Sequence, residues 1–251
     1  MSVTIKSPRE IELMRHSCKV LAEIHERLKE EVKPGISTLE LDIMAERLIR
    51  ENKCIPNFLH YNGFPASICA SVNEEIVHGI PRKDKILKEG DIISIDCGCI
   101  YEGYHSDAAR THAVGKISPE LEKLIRETEN SFYAGIKKAV AGNHLNDICT
   151  AIEDYITPFG YGIVEELTGH GIGTHMHEDP SIPNFAMNRR GVKLRPGMTL
   201  AIEPMINLGR ADVIFHDDGW TTTTADGLPS AHYENTILIT EEGEPEILTL
   251  L

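Results

Sequence analysis

The fold of this chain is decided by residues 91–112, which read DIISIDCGCIYEGYHSDAARTH. Residues 92–95 are four apolar or small residues that are typical of a buried strand, and Asp96 closes that run. Further on, the dipeptide Glu102-Gly103 stands between two tyrosines. A two-residue turn at this point predicts a β-hairpin in which Tyr101 pairs with Tyr104.

The hairpin register brings two carboxylates together. It places Asp107 opposite Gly98, two residues from Asp96 and on the same face of the sheet. Such diagonal neighbours have Cα atoms ~7–8 Å apart, which lets them hold two metal ions ~3.5–4 Å apart. His105 shares this face, and we expect it to give a supporting hydrogen bond and not to act as a ligand.

Two more acids border apolar runs. Glu203 closes residues 200–202, and Glu234 leads into residues 236–239. Each acid alone could be a strand end that faces solvent, but an unpaired carboxylate in a buried strand is costly, and three acids with the same placement favour a shared role. With Asp107 and one imidazole, these three acids complete the predicted ligand set of a two-metal hydrolytic centre: Asp96, Asp107, His170, Glu203 and Glu234.

The imidazole comes from a glycine-rich segment, residues 169–173, in which glycines are expected to let the backbone approach a ligand closely. His177 follows His170 by seven residues (177 − 170), far enough to act on substrate without sharing its metal. His175 is expected to be a solvated neighbour. His78 ends another apolar run, and its local sequence leaves both a core and a functional role open.

Four carboxylates and one imidazole favour hard divalent ions such as Mn(II), Fe(II) or Co(II), and one histidine also suits Zn(II). Two divalent ions are expected as cofactors, and the sequence does not choose among these metals. A water held between two such ions has its pKa lowered toward neutrality and can act as a nucleophile.

The chain repeats itself with an offset of 107 residues (203 − 96), which aligns Gly35 with Gly142 and Asp96 with Glu203. Near the start of each half, Ser7-Pro8 and Ser118-Pro119 are typical of helix N-termini. We therefore predict one α+β domain, residues 1–251, with an internal repeat of approximately 7–112 and 118–239. Its two halves would be related by a pseudo-two-fold axis around an antiparallel sheet.

Composition narrows the class of protein. The net charge of −14 argues against a nucleic-acid binder, and specific DNA binding is not expected. The chain begins without the apolar region of a signal peptide, and no stretch is apolar enough to span a membrane. A cytoplasmic enzyme, monomeric and without membrane contact, is expected.

The six cysteines are scattered without the regular spacing of a disulfide framework, so reduced thiols are expected. On the predicted strand, Cys97 and Cys99 point away from the face of Asp96. We expect them to pack against helices.

In these residues the chain resembles the type I methionine aminopeptidases, of the pita-bread (creatinase/aminopeptidase) fold, in their short bacterial form. The resemblance covers essentially the whole chain. The motifs that carry it are Val77-His78-Gly79-Ile80-Pro81, Ile95-Asp96 with Asp107, Gly169-His170-Gly171-Ile172-Gly173 with His177-Glu178-Asp179-Pro180, Ile202-Glu203-Pro204-Met205 and Tyr233-Glu234-Asn235-Thr236.

The resemblance implies a role for each residue. Asp96 would chelate one metal, His170 and Glu203 the other, and Asp107 and Glu234 would bridge both. Glu203 would also be the general base. The other catalytic and substrate-binding residues would be His177 at the scissile carbonyl oxygen and His78 at the amide nitrogen after methionine. A pocket for the methionine side chain would be formed by Tyr61, Phe64, Cys69 and Trp220, whereas Phe58 and Met176 depart from the residues common at their positions.

The implied activity is metal-dependent removal of initiator methionine from peptides and nascent chains whose second residue is small. A proline-directed peptidase of the same fold is the nearest alternative, although such enzymes usually carry a further N-terminal domain. A metal-free binding protein is the alternative from another class, and the complete ligand set argues against it.

Two basic clusters precede ligand-bearing strands, and the resemblance makes a transient ribosome contact a hypothesis for them. The simpler interpretation is that the two clusters lie in solvated loops or form salt bridges with nearby acids. The clusters consist of Arg82, Lys83, Lys85 and Lys88, and of Arg189, Arg190, Lys193 and Arg195.

Overall fold

The structure is a computed structural model, and it describes residues 3–251. Within that range the helices are α1 Pro8–Glu31, α2 Thr38–Glu51, α3 Pro119–Ile136 and α4 Leu145–Ile156. The strands are β1 Ile55–Pro56, β2 Ile68–Val72, β3 Glu75–Val77, β4 Ile92–Tyr101, β5 Tyr104–Ala113, β6 Gly162–Ile163, β7 Gly169–Gly171, β8 Glu178–Ile182, β9 Thr199–Ile202, β10 Met205–Asn207, β11 Val213–Phe215, β12 Thr222–Thr224, β13 Ser230–His232, β14 Glu234–Leu238 and β15 Glu246–Ile247. No helix among these residues has the length and apolarity needed to cross a membrane.

Helices α1 and α3 begin where the sequence predicts, directly after Ser7 and Ser118. Helix α1 follows Ser7, whose backbone N–H donates to the Glu10 carboxylate at 2.7 Å. Helix α3 follows Ser118, whose hydroxyl oxygen accepts from the Leu121 N–H at 3.3 Å. Both helices carry proline at their first position, where no N–H is required for the helical ladder.

The predicted hairpin register is confirmed. Strands β4 and β5 pair Tyr101 with Tyr104 and Gly98 with Asp107. Glu102 and Gly103 both have positive φ, 47° and 84°, which a two-residue turn of type I′ requires. Because the turn has this length, Asp107 lies on the face that carries Asp96.

The main sheet is antiparallel throughout, and its strands lie in the order β1-β4-β5-β14-β9-β7-β8, with β2 beside β4 and β15 beside β14. Strands of the first half of the chain meet those of the second half where β5 pairs with β14. This is the α+β arrangement expected from the repeat.

The sheet has one face against the helices. Ile95, Cys97 and Ala108 belong to a buried cluster that includes residues of α1 and α2. Leu200 and Ile202 belong to a second cluster that includes residues of α3 and α4. The expectation for the cysteines is confirmed, since Cys97 and Cys99 are buried in the first cluster and all six thiols are free. Because side chains alternate along a strand, Asp96 and the other candidate carboxylates lie on the face of the sheet away from the helices.

The two halves repeat their backbone hydrogen bonds at the offset of 107 residues. The Gly35 N–H donates to Leu87 O at 2.8 Å, and the Gly142 N–H donates to Leu194 O at 3.0 Å. Both glycines have left-handed φ, +95° and +98°. The extent of the single domain stays a prediction, and its residues 1 and 2 lie outside the described range.

Candidate metal centre

The five candidate ligands come from five neighbouring strands. Asp96 lies on β4, Asp107 on β5, Glu234 on β14 and His170 on β7, and Glu203 directly follows β9. Strand register aligns them, because Asp96 and Glu234 both pair with Ala109 from opposite sides. Paired residues share a face, so these carboxylates project to the side away from the helices.

The side chains converge at the centre of the sheet. His170 Nε2 lies 3.6 Å from Glu203 Oε1 and 3.8 Å from Asp107 Oδ2. One ligand atom each from Asp107, His170 and Glu234 lie within 4.8 Å of one another, and all three residues are buried. Asp96 lines the same cavity as Asp107, His170, Glu203 and Glu234. The structure thus brings all five candidates to one place.

Burial and like charge dominate the electrostatics of this cluster. Burial raises the pKa of Asp96, Glu203 and Glu234 above their usual values. The pKa of Asp107 is raised by burial and then by Asp96 and Glu203. Several carboxylates held this close favour either shared protons or a cation.

The residues fit divalent cations. One oxygen each of Asp96, Asp107 and Glu234 is buried without a hydrogen-bond partner among the described residues. Buried polar atoms normally have a partner, and oxygen donors with one imidazole are the ligands that first-row divalent ions accept. The chemistry of the donor set therefore matches a metal site.

The His170 ring is oriented for ligation. Its Nδ1 makes a hydrogen bond of 2.9 Å to Gly171 O, and a carbonyl accepts, so Nδ1 carries the proton and Nε2 offers a lone pair to the cluster. The glycines on either side of His170 were expected to let the backbone approach a ligand. Instead, they let neighbouring strands pack closely. A Cβ on Gly169 would lie 2.4 Å from Ala201 O, and one on Gly171 would lie 2.2 Å from Asp179 O.

Two histidines border the cluster. The rings of His170 and His177 have centroids 4.4 Å apart. His78 has left-handed φ, 59°, which is uncommon outside glycine and is typical of functional sites. Burial lowers the pKa of His177, and burial together with His177 lowers the pKa of His78 to about 4. Both imidazoles are therefore neutral near pH 7.

An apolar pocket opens directly on the carboxylates. The cavity has a volume of about 230 Å³. Cys69 on β2 pairs with Asp96, which sets the pocket beside the candidate metal ligands. Phe64 and Trp220 meet edge to face with centroids 5.1 Å apart. All the residues named for the pocket from sequence line it, and so do the two departures: Tyr61, Phe64, Cys69, Trp220, Phe58 and Met176.

The remaining histidines near the site take other positions. His105 Nδ1 makes a hydrogen bond of 2.6 Å to Asn57 Oδ1, and Asn57 Nδ2 donates to Ser106 O at 3.3 Å. The expected hydrogen-bonding role of His105 thus holds strand β5 to the segment after β1. His175 is exposed, as expected for a solvated neighbour.

Sequence reasoning missed His232. Its side chain is 2% exposed, and its Nε2 lies 3.9 Å from Glu203 Oε2 and 4.0 Å from Glu234 Oε2. The signal was its position two residues before Glu234, which places both on one face if the strand is continuous. Asn184 was also missed; its Nδ2 donates to Glu203 O at 3.0 Å and fixes the backbone there.

Glu178 belongs to the motif that begins at His177, but no role was assigned to it from the sequence. Its carboxylate forms an ion pair of 2.7 Å with Lys6 Nζ, and the two side chains are 8% and 5% exposed. Glu178 directly follows His177 in the chain. A buried ion pair therefore ties the segment before α1 to the loop that carries His177.

Known proteins are similar to this chain in sequence and in fold. Metallopeptidase family M24 matches residues 12–241. The methionine aminopeptidase of Clostridium acetobutylicum is 52% identical over 248 residues, which cover 99% of each chain. The crystal structure of the methionine aminopeptidase of Thermotoga maritima has a TM-score of 0.97 at 40% identity and covers 100% of both chains. The prolidase of Pyrococcus furiosus, at 24% identity and a TM-score of 0.78 over 98% of this chain and 65% of its own, shares the pita-bread fold alone. The chain therefore belongs to metallopeptidase family M24 and is a metal-dependent hydrolase.

Proposed function

We propose that this enzyme removes the initiator methionine from nascent proteins and peptides whose second residue is small. The observation that carries the proposal is the apolar pocket that opens on the carboxylate cluster. An aminopeptidase of this kind must hold one unbranched, apolar side chain beside the bond that it cleaves. The relatives named methionine aminopeptidase, which align over the whole chain, support the same substrate.

The walls of the pocket suit a thioether. Phe58 and Phe64 supply aromatic rings, and Cys69 and Met176 supply polarisable sulfur. Sulfur–aromatic contacts are favourable, and an unbranched side chain adapts to an irregular cavity. Phe58 and Met176 keep the wall apolar despite their departure from the residues common in the family.

The residues proposed to hold two divalent ions are Asp96, Asp107, His170, Glu203 and Glu234. Ions bound there would supply positive charge that lowers the pKa of a water molecule and polarises the scissile carbonyl. Glu203 is proposed to accept the proton of the attacking water through a carboxylate oxygen and to pass it to the departing amine. Its backbone is held by Asn184, which keeps the carboxylate in a defined position.

The two rim histidines are proposed to bind the peptide bond. His177 would donate an N–H to the scissile carbonyl oxygen, where negative charge develops in the transition state. His78 would make a hydrogen bond to the amide nitrogen of the residue after methionine. Because both rings are neutral near pH 7, each presents one donor and one acceptor.

A direct assay separates this function from its nearest alternative. We expect methionine to be released from a Met-Gly-peptide, and we expect no comparable cleavage of an Xaa-Pro-peptide. A chelator should abolish the release, and added Mn(II), Fe(II), Co(II) or Zn(II) should restore it in at least one case. Preferred cleavage of the Xaa-Pro-peptide would assign a proline-directed peptidase, and activity unaffected by complete metal removal would contradict the proposed centre.

We also propose a transient contact with the ribosome through the second basic cluster, Arg189, Arg190, Lys193 and Arg195. These four side chains are exposed, and none has an acidic partner among residues 3–251. In the first cluster, Lys85 pairs with Glu75 at 3.2 Å and Arg82 with Asp84 at 3.8 Å. Unpaired cations in a chain of net charge −14 can bind phosphates of ribosomal RNA.

Changing the four cations of the second cluster to serine should reduce co-sedimentation with ribosomes at low salt, because phosphate contacts are lost. Hydrolysis of a free Met-Gly tripeptide should stay unchanged. The matched control replaces Arg82, Lys83, Lys85 and Lys88 by serine and should have the smaller effect. Unchanged co-sedimentation for both variants would exclude these clusters as the docking surface.

A further inference from the structure

The hydroxyl of Tyr61 lies 2.8 Å from His177 Nδ1. The two residues are 116 positions apart in sequence, and both line the pocket. Tyr61 begins a short helical turn, Tyr61–Gly63, and His177 lies in the connection between β7 and β8. Among the described residues this hydroxyl is the hydrogen-bond partner of the His177 ring, so the other ring nitrogen is left for substrate.

The backbone around Tyr61 is held in an uncommon conformation. His60 and Asn62, on either side of it, both have left-handed φ, 68° and 49°. Residues other than glycine adopt this conformation only where the surrounding structure holds them in it. The turn is closed by hydrogen bonds from the His60 N–H to Phe64 O at 2.8 Å and from the Tyr61 N–H to Phe58 O at 2.9 Å. The loop therefore presents the tyrosine in a defined direction.

The direction of this hydrogen bond determines which of two forms the imidazole takes. A neutral histidine carries one N–H, on either Nδ1 or Nε2. If the tyrosine O–H donates to Nδ1, the proton of the ring resides on Nε2, which then donates to a carbonyl oxygen. If Nδ1–H donates to the tyrosine instead, Nε2 becomes an acceptor and repels that oxygen. The role proposed for His177 requires the first arrangement.

We propose that Tyr61 is a positioning residue that holds His177 in the Nε2–H form and fixes the rotation of its ring. The inference rests on the proposed function, because it deepens the role given there to His177. It goes beyond a packing role for Tyr61 in the methionine pocket. Phenylalanine would keep the aromatic ring that packs against the apolar cluster of the pocket and would remove only the hydroxyl.

Tyr61→Phe tests this directly, because it removes the hydroxyl and keeps the ring. We expect kcat for a Met-Gly-peptide to fall about 10-fold, as for the loss of one hydrogen bond of ordinary strength. KM and bound metal should change little, because the His177 contact strengthens as charge develops in the transition state. Tyr155→Phe is the matched control: it removes a hydroxyl that donates to Glu127 at 2.6 Å, away from the pocket, and should leave kcat unchanged.

A double-mutant cycle assigns the effect to His177. In a His177→Ala background, Tyr61→Phe should cause no further loss of kcat, because the residue on which it acts is gone. Additive losses would overturn the proposal, and so would wild-type kcat in the single variant. A raised KM with unchanged kcat would instead mean that Tyr61 only lines the pocket. Failure of the wild-type enzyme to release methionine would count against the proposed function. The proposal for Tyr61 is judged instead by the kcat values of the variants relative to wild type.

Discussion

Glu203→Gln should reduce methionine release to below about one per cent of wild type, because the amide is nearly isosteric but cannot accept a proton from water. Loss of a general base typically costs 10²- to 10⁴-fold in rate. The measurement is kcat on a Met-Gly-peptide at saturating metal, together with a thermal melt to verify the fold. Activity above one per cent would contradict the double role of Glu203 as ligand and base.

The histidine variants His177→Ala and His78→Ala are the controls for this result. Both should lose turnover while keeping the metal content of the wild type, because neither residue is proposed as a ligand. The ring of His177 packs against the ring of His170. Its one hydrogen-bond partner among residues 3–251 is Tyr61, so His177 does not donate to the carboxylates. A stoichiometric loss of bound ion in either variant would mean that a ligand had been taken for a substrate-binding residue.

Lys6→Met should lower the free energy of unfolding by about 3–5 kcal/mol, the usual cost of leaving one member of a buried ion pair without its partner. The Glu178 carboxylate would keep the Thr4 hydroxyl, at 2.5 Å, and the His175 N–H, at 3.2 Å, but no cation. Denaturant unfolding of the two proteins measures the difference. The double variant Lys6→Met/Glu178→Gln removes the stranded charge and should recover most of the loss.

The same pair predicts a dependence on pH. Burial alone would raise the pKa of Glu178, but hydrogen bonds from Lys6 and Thr4 and the charge of Lys6 lower it below its usual value. A folded-state pKa below the unfolded one stabilises the protein above the unfolded pKa, near 4.3. This contribution is lost as the pH falls through the folded pKa. The difference between wild type and Lys6→Met should therefore shrink below about pH 4; a difference independent of pH would exclude the ion pair as its cause.

The parts of the site that follow from local rules could be predicted from the sequence. The length of the Glu102-Gly103 turn determines the hairpin register, and alternation along the strands then determines that Asp96 and Asp107 share a face. The thiols of Cys97 and Cys99 were assigned to the helix-packed face by the same alternation. Helix starts at Ser7 and Ser118 needed only residues within one turn.

Contacts between distant segments could not be predicted in this way. His232 gave a weak signal through its spacing from Glu234, but its distance to Glu203 depends on β14 lying between β5 and β9. The glycines around His170 suggested a close ligand, whereas their neighbours are the backbone carbonyls of Ala201 and Asp179. Motif reading identifies which residues belong to a site and does not show which atoms face each other.

The fold class and the candidate ligands were predicted from strand alternation, turn length and the placement of acids beside apolar runs, because these are local features of the chain. The family was predicted from a resemblance in motifs along the whole chain. The contact of Tyr61 with His177 and the burial of Lys6 against Glu178 are visible only in the folded chain. Those pairs are separated by 116 and 172 residues. Their contacts depend on the order of strands in the sheet and on the path of the connecting loops, neither of which is encoded in a local pattern of residues.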